Sequence, residues 1–183
     1  MKKSVLLLVF ALSMTVIGCK KEKAEDNSEA PKEEVVASNG FNVVLDVVIK
    51  QDDEVLLFYT TDGGTDFSKI PPLTQKVKGS ASPQLISYTL PEGAKPTEFR
   101  VDFGTNPQKE DIYFNKITFR NLGKERTIAC PEMLDYFRAN DTYCTFNTTT
   151  GLIQTKTSPS GEKYSASIYP HEKNVLAALE KLW

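Results

Sequence analysis

The sequence predicts a mainly β domain built as an antiparallel β-sandwich, with one short helix and a C-terminal helix. Three observations support this. Residues 41–49 alternate apolar and polar side chains with a period of two, as a strand buried on one face does. Further β-prone runs recur at short, regular spacing, separated by Gly, Pro, Asn and Asp. No helical periodicity interrupts them, which favours an antiparallel sandwich over a parallel sheet with crossover helices.

Six runs are predicted as strands. The first two, residues 41–49 and 54–60, flank a turn at residues 51–53 and are expected to form a hairpin. The remaining predicted strands are residues 85–90, 98–103, 112–119 and 126–130.

The fifth run contains a change of parity. Ile112 and Phe114 would face one side of a regular strand, whereas Ile117 and Phe119 would face the other. One extra residue near positions 115–116, a β-bulge, would return both pairs to the core. The alternative is that both faces of this strand are covered, and the sequence leaves the two open.

A short helix is predicted after the strands. Pro131 suits its first turn, Met133, Leu134 and Phe137 would line one face, and Asn140 would end it.

A second helix is predicted at the C-terminal end, from Pro170, because Val175, Leu179 and Leu182 repeat at i, i+4 and i+7. Docking of this apolar face on its own domain is favoured over binding to a partner or membrane, since the helix charges are mixed rather than mainly basic.

The first 18 residues have the pattern of an export signal. Lys2 and Lys3 precede an apolar stretch at residues 5–17. That stretch is too short to cross a membrane permanently, which takes about 20 residues.

Residues 16–19, Val-Ile-Gly-Cys, resemble the lipobox of bacterial lipoproteins. The resemblance implies that the chain is cut before Cys19, that the cysteine carries lipid, and that the membrane is a partner through this lipid. Two acyl chains give stable anchoring where one does not. Lys20 stands where an Asp would imply retention at the inner membrane, so the comparison favours the outer membrane of the cell envelope and leaves its periplasmic or surface face open.

Half of residues 20–39 are charged. Such a segment buries too little apolar surface to offset its chain entropy, so residues 19–39 are predicted to form a disordered tether. Residues 40–183 are predicted to form one domain.

The domain resembles jelly-roll domains of the galactose-binding-like, carbohydrate-binding-module type. The resemblance rests on residues 53–59, 90–91, 99–104 and 112–117, and it spans about residues 41–120. It implies a jelly-roll sandwich that binds a carbohydrate or another envelope component.

Several functions are disfavoured by what the sequence lacks. The net charge is −2, with no dense basic cluster of the kind that binds nucleic acid. His171 is the only histidine and falls in the first turn of the predicted C-terminal helix, a position that disfavours a nucleophile–His arrangement and a His-based zinc site. We therefore expect no catalytic residues, no metal and no cofactor.

Cys130 and Cys144 are the remaining cysteines. A pair in an oxidising compartment predicts a disulfide, with two independent buried thiols as the alternative.

Weak ligand-binding candidates are Tyr59, Arg100, Asp102 and Tyr113. Aromatic faces can stack on sugars, and an Arg fork can bind hydroxyl or carboxylate groups. Aromatic residues in strands are more often core, and a structural ion pair is favoured for Arg100 and Asp102. A Gly-rich turn is likewise favoured over a calcium site for Asp62 and Asp66.

These observations predict a non-catalytic, membrane-anchored lipoprotein that binds a carbohydrate or another envelope component. The alternative is a structural or assembly lipoprotein that contacts a protein partner through an edge strand or the C-terminal helix.

Overall fold

The computed structural model describes residues 40–104, 106 and 110–183. The predicted export signal, the lipid on Cys19 and the tether at residues 19–39 lie outside the described residues. Within the described ranges, no helix has the length and apolar character needed to cross a membrane.

The described chain contains eleven strands, one turn of 3-10 helix at Glu132–Asp135 and one α-helix, α1, at Asn174–Glu180. The strands are Asn42–Val48 (β1), Asp53–Thr60 (β2), Leu73–Val77 (β3), Gln84–Thr89 (β4), Glu98–Phe103 (β5), Ile112–Asn121 (β6), Lys124–Ala129 (β7), Phe137–Ala139 (β8), Cys144–Asn147 (β9), Leu152–Thr155 (β10) and Ala166–Pro170 (β11).

The strands form two antiparallel sheets, which confirms the predicted β-sandwich. The six-stranded sheet has the order β4-β1-β6-β10-β9, with β7 also paired to β6, and the five-stranded sheet has the order β3-β2-β5-β11-β8. The expected hairpin of β1 and β2 is wrong, because β1 pairs with β4 and β6 while β2 pairs with β3 and β5. Each of the two strands buries one face in the same core, so they lie in opposite layers of the sandwich.

Phenylalanine rings join the two layers. Phe99 and Phe103 of β5 are fully buried, as are Phe114 and Phe119 of β6. The ring centroids of Phe99 and Phe119 lie 5.1 Å apart, and those of Phe103 and Phe114 lie 5.6 Å apart. Burying each ring contributes about 1.5–3 kcal/mol, so these contacts are a main source of the attraction between the sheets.

Of the two alternatives left open for β6, the structure has the β-bulge. Asp46 of β1 pairs with Lys116 and the next residue, Val47, pairs with Phe114, so Asn115 is the extra residue. All four apolar residues on either side of the bulge are buried: Ile112, Phe114, Ile117 and Phe119.

The predicted helix after Pro131 is only partly correct. It is reduced to one 3-10 turn, and Phe137 belongs to β8, which pairs with β11. Leu134, expected on the buried face, is 64% exposed. Residues 137–139 instead pair with residues 168–170 of β11, and this pairing replaces the hydrogen bonds that a longer helix would make within itself.

The C-terminal helix docks on its own domain as favoured. Val175, Leu179 and Leu182 are buried in the shared core. Pro170, expected to start this helix, instead ends β11.

The predicted disulfide is wrong in this structure, where both cysteines are free thiols. The Sγ atom of Cys130 lies 3.5 Å from the carbonyl oxygen of Phe114, and the Sγ atom of Cys144 lies 3.5 Å from that of Ser167. The two thiols thus contact different sheets, which matches the alternative of two independent thiols.

Candidate functional site

The structure separates the four predicted ligand-binding residues. Tyr59 points into the sandwich and is only 6% exposed. Tyr113 is half-buried on the outer face of the six-stranded sheet. Arg100 and Asp102 lie together on the outer face of the five-stranded sheet, so only this pair shares one surface.

Arg100 and Asp102 form a two-pronged ion pair. Nε of Arg100 donates to Asp102 at 2.7 Å, and a second guanidinium nitrogen donates to the other carboxylate oxygen. The guanidinium carbon lies 4.4 Å from the Phe58 ring centroid and 5.0 Å from that of Tyr169. Burial alone would lower the pKa of Arg100, but the hydrogen bonds and charge of Asp102 raise it above its ordinary value. This arrangement favours a structural ion pair over a ligand contact.

The two aspartates beside the Gly63-Gly64 turn are engaged within the loop. Asp62 accepts hydrogen bonds from Lys69 at 2.8 Å and from the Gly64 amide at 3.0 Å. The Lys69 bond is the main reason that the pKa of Asp62 lies below its ordinary value. Asp66 accepts hydrogen bonds from Ser68. These hydrogen bonds stabilise the loop, as expected if Asp62 and Asp66 belong to a Gly-rich turn.

An open groove of about 360 Å³ lies along the β8 edge of the sandwich. We call it the β8 groove and define it by six of its lining residues, Leu134, Phe137, Arg138, Asp141, Phe146 and His171. Leu134 and Phe146 offer apolar surface, Phe137 is buried in the core beside them, and the other three residues offer polar or charged groups. The groove thus places some apolar surface next to several polar groups, a combination that ligand sites also use.

Local structure explains the apolar part of the groove. The 3-10 turn leaves Leu134 exposed, whereas the following strand turns Phe137 into the core. Phe146 of β9 is half-buried and stacks on Phe114, with 6.3 Å between ring centroids. An apolar surface therefore continues from the core to the solvent.

A polar anchor fixes the 3-10 turn beside the groove. Arg126 of β7 pairs with Glu132, donates to the Tyr136 hydroxyl at 3.1 Å, and lies over the Tyr136 ring. The backbone amide of His171 donates to the Tyr136 carbonyl at 2.7 Å. The groove wall is thus held by contacts from two neighbouring segments.

The polar side chains of the groove present both charge signs and one imidazole. Arg138 and Asp141 are exposed at its rim. Nδ1 of His171 is buried and has no hydrogen-bond partner among the described residues. Nowhere in residues 40–104, 106 and 110–183 do three or more His, Cys, Asp or Glu side chains form a group that could hold a metal ion. The arrangement can bind a ligand that has both apolar faces and hydrogen-bonding edges.

Sequence reasoning missed the β8 groove. It assigned Leu134 and Phe137 to one helix face, set His171 aside, and did not single out Arg138 or Phe146. Phe137, Arg138 and Ala139 alternate as strand residues do, but three residues are too few to be recognised as a strand from the sequence.

Comparison with protein-family models, curated proteins and solved structures found no match for this chain.

Proposed function

We propose that this protein is a non-catalytic lipoprotein of the cell envelope, held at the outer membrane by lipid on Cys19, that binds a carbohydrate or another envelope component in the β8 groove. The anchor is supported by the order of Lys2 and Lys3, the apolar stretch at residues 5–17 and the box that ends at Cys19. The binding function is supported by the groove.

The observation that carries the binding proposal is the composition of the β8 groove. A sugar ring has apolar C–H faces and a rim of hydroxyl groups, so it needs apolar contact area next to charged or polar groups. Leu134 and Phe146 supply the apolar area, and Arg138 and Asp141 supply a donor and an acceptor for hydroxyl groups.

The carboxyl group with the most strongly raised pKa lies away from the groove. Glycoside hydrolysis uses two carboxyl groups across a cleft, one of which has a raised pKa. Burial raises the pKa of Glu98 to about 7, yet Glu98 does not line the groove.

A glycan array tests the binding proposal with the full lipoprotein in detergent. Leu134→Ala and Arg138→Ala should each weaken binding by roughly tenfold, because each removes about 1–2 kcal/mol of apolar or charge-assisted contact. Leu85→Ala is the matched control, because it removes an exposed leucine outside the groove. Tyr113→Ala tests the outer face of the six-stranded sheet in the same way.

Two outcomes would count against carbohydrate binding in the β8 groove. One is glycan binding that survives both groove substitutions but is lost in a control variant. The other is silence across a broad array that includes fragments of envelope polysaccharide.

A protein partner is the second candidate function, favoured by one edge strand. The apolar side of α1 is buried on its own domain, which disfavours the helix as the contact. Among the described strands, β4 ends the order of its sheet and carries Leu85, which is 43% exposed. Such an edge can pair with a strand from another chain. A photo-crosslinking residue at position 85, compared with one at position 134, would show which surface a partner touches.

A further inference from the structure

The turn between β6 and β7 places a leucine where backbone conformation and solvent both oppose it. Asn121 pairs with Lys124, so Leu122 and Gly123 form a two-residue hairpin loop. Their φ angles are 50° and 76°, as in a type I′ turn. Asn, Asp and Gly adopt this conformation readily, whereas a bulky side chain rarely does. Leu122 is nevertheless 75% exposed. A residue that costs stability in two ways at a surface indicates a role outside the fold.

Trp183 lies beside this turn. Nζ of Lys124 donates to the carbonyl oxygen of Trp183 at 2.5 Å, and Nζ of Lys95 lies 5.6 Å from the Trp183 ring centroid. Trp183 is 40% exposed, and its ring stacks on that of Phe41, with 5.9 Å between centroids. The side chain of Asn121, the residue before Leu122, donates to the carbonyl oxygen of Leu182 at 3.2 Å. Leu122 and Trp183 are thus exposed apolar side chains at the same end of the sandwich, with Lys95 and Lys124 beside Trp183, and we call this surface the Leu122–Trp183 patch.

The chain from Cys19 reaches the domain at this same patch. Phe41, on which Trp183 stacks, follows Gly40, the first described residue. Gly40 is 21 positions after Cys19. A chain of that length spans at most roughly 70 Å. Lipid on Cys19 would thus keep this end of the domain within reach of a bilayer.

We propose that the Leu122–Trp183 patch docks into the headgroup layer of the membrane that holds the Cys19 lipid. The inference rests on the lipid anchor of the proposed function. A Trp ring with an apolar body and a polar N–H suits the membrane interface, and Lys95 and Lys124 can extend to lipid phosphates. Attachment at Cys19 would give the patch a high effective concentration at the bilayer, which reduces the apolar area that docking requires.

Docking would set the orientation of the domain. With the Leu122–Trp183 patch in the headgroup layer, β1 leaves the bilayer from its first residue, Asn42. The domain would then hold the β8 groove in one orientation relative to the membrane.

The single tryptophan provides a direct test, since Trp183 is the only one in the chain. The lipidated protein is reconstituted into phosphatidylethanolamine–phosphatidylglycerol vesicles that contain phospholipid spin-labelled near the headgroup. We expect the label to quench Trp183 fluorescence. Leu122→Asn should lower the ratio of docked to undocked protein by about tenfold, because it removes a leucine from the interface. Leu122→Gly should do the same, and Leu85→Asn is the control that leaves quenching unchanged.

Vesicle flotation separates this inference from the anchor on which it depends. Protein that floats with the vesicles while Trp183 stays unquenched retains the anchor and overturns the docking. Quenching that persists in both Leu122 variants also overturns the docking. If a second copy of the chain or another protein covers Trp183 instead, the protein floats with the vesicles but Trp183 stays unquenched. Protein that does not float overturns both proposals.

Discussion

Glu98 is the most perturbed carboxyl group of the described domain. It begins β5 opposite Thr60, is 1% exposed, and its Oε2 atom has no hydrogen-bond partner in the described part of the chain. Burial raises its pKa from 4.5 to about 7, although the charge of Lys173 lowers it in part. Ionising Glu98 therefore leaves a poorly compensated charge in the protein interior.

This carboxyl group predicts a pH-dependent stability. The folded state holds the Glu98 proton up to about pH 7, whereas the unfolded chain releases it near 4.5. Between these values the folded state binds more protons, so the free energy of unfolding should fall as the pH rises. The change is on the order of 3–4 kcal/mol, at about 1.4 kcal/mol for each pKa unit.

Urea denaturation at several pH values across this window measures the effect. Glu98→Gln should abolish the Glu98 contribution, so that the variant gains stability relative to the wild type as the pH rises. Glu92→Gln, at an exposed position, is the control. If the difference in the free energy of unfolding between wild type and Glu98→Gln stays constant from acid to neutral pH, Glu98 does not titrate as inferred.

At the scale of single elements, strands that bury one face were predictable. The predicted strand at residues 98–103 matches β5 at both ends. Its apolar residues Phe99, Val101 and Phe103 alternate with charged ones, so only one face of the strand could be the buried one. The unpredicted β3 has three exposed residues among five and therefore no comparable pattern. β8 to β11 have three to five residues each, too few for periodicity to distinguish strand from loop.

The segment after Pro131 shows where local pattern fails. Met133, Leu134 and Phe137 have a spacing that fits one face of a helix, yet the structure buries Met133 and exposes Leu134. Phe137 pairs with Pro170, a contact with a segment more than thirty positions away. Long-range pairing of this kind overrides local preference and leaves no local signal.

The bulge at Asn115 predicts that β6 tolerates the loss of its extra residue. Deleting Asn115 would leave Lys116 opposite Asp46 and Phe114 opposite Val47 in an unbroken register, so that Ile112 and Phe114 still face the core. The deletion should therefore cost only the hydrogen bonds of Asn115 itself, about 1–2 kcal/mol. Urea denaturation followed by circular dichroism measures the loss.

Asn115→Ala is the matched control for this deletion. It keeps the extra residue and removes only the side-chain hydrogen bond to Asp46, which measures 2.9 Å. We expect it to cost about 1 kcal/mol. A deletion that destabilises the domain by several kcal/mol more than Asn115→Ala does would contradict this prediction, and would mean that the sheet needs the bulge itself.

For the molecule as a whole, the sequence predicted the class of fold and missed the groove. The groove draws on the segment from Leu134 to Phe146 and on His171, which only the completed sandwich brings together. Arg100 and Asp102 were recognised as neighbours because they are two positions apart on one strand. Tyr59 shares its parity with the buried residues Val55 and Leu57, so alternation already implied an inward side chain.

The sandwich is held by one continuous core rather than by a covalent link, which predicts that reductant leaves its stability unchanged. Cys130 is half-buried and Cys144 fully buried, and burial raises the pKa of both thiols, so both should react with maleimide mainly after unfolding. Calorimetry should give one melting temperature with and without dithiothreitol. A disulfide closing a loop of about 15 residues contributes roughly 3 kcal/mol, so its reduction would lower that temperature by about 6–12 °C. A fall of that size, or fewer than two maleimide-reactive thiols in the unfolded domain, would contradict the free-thiol structure.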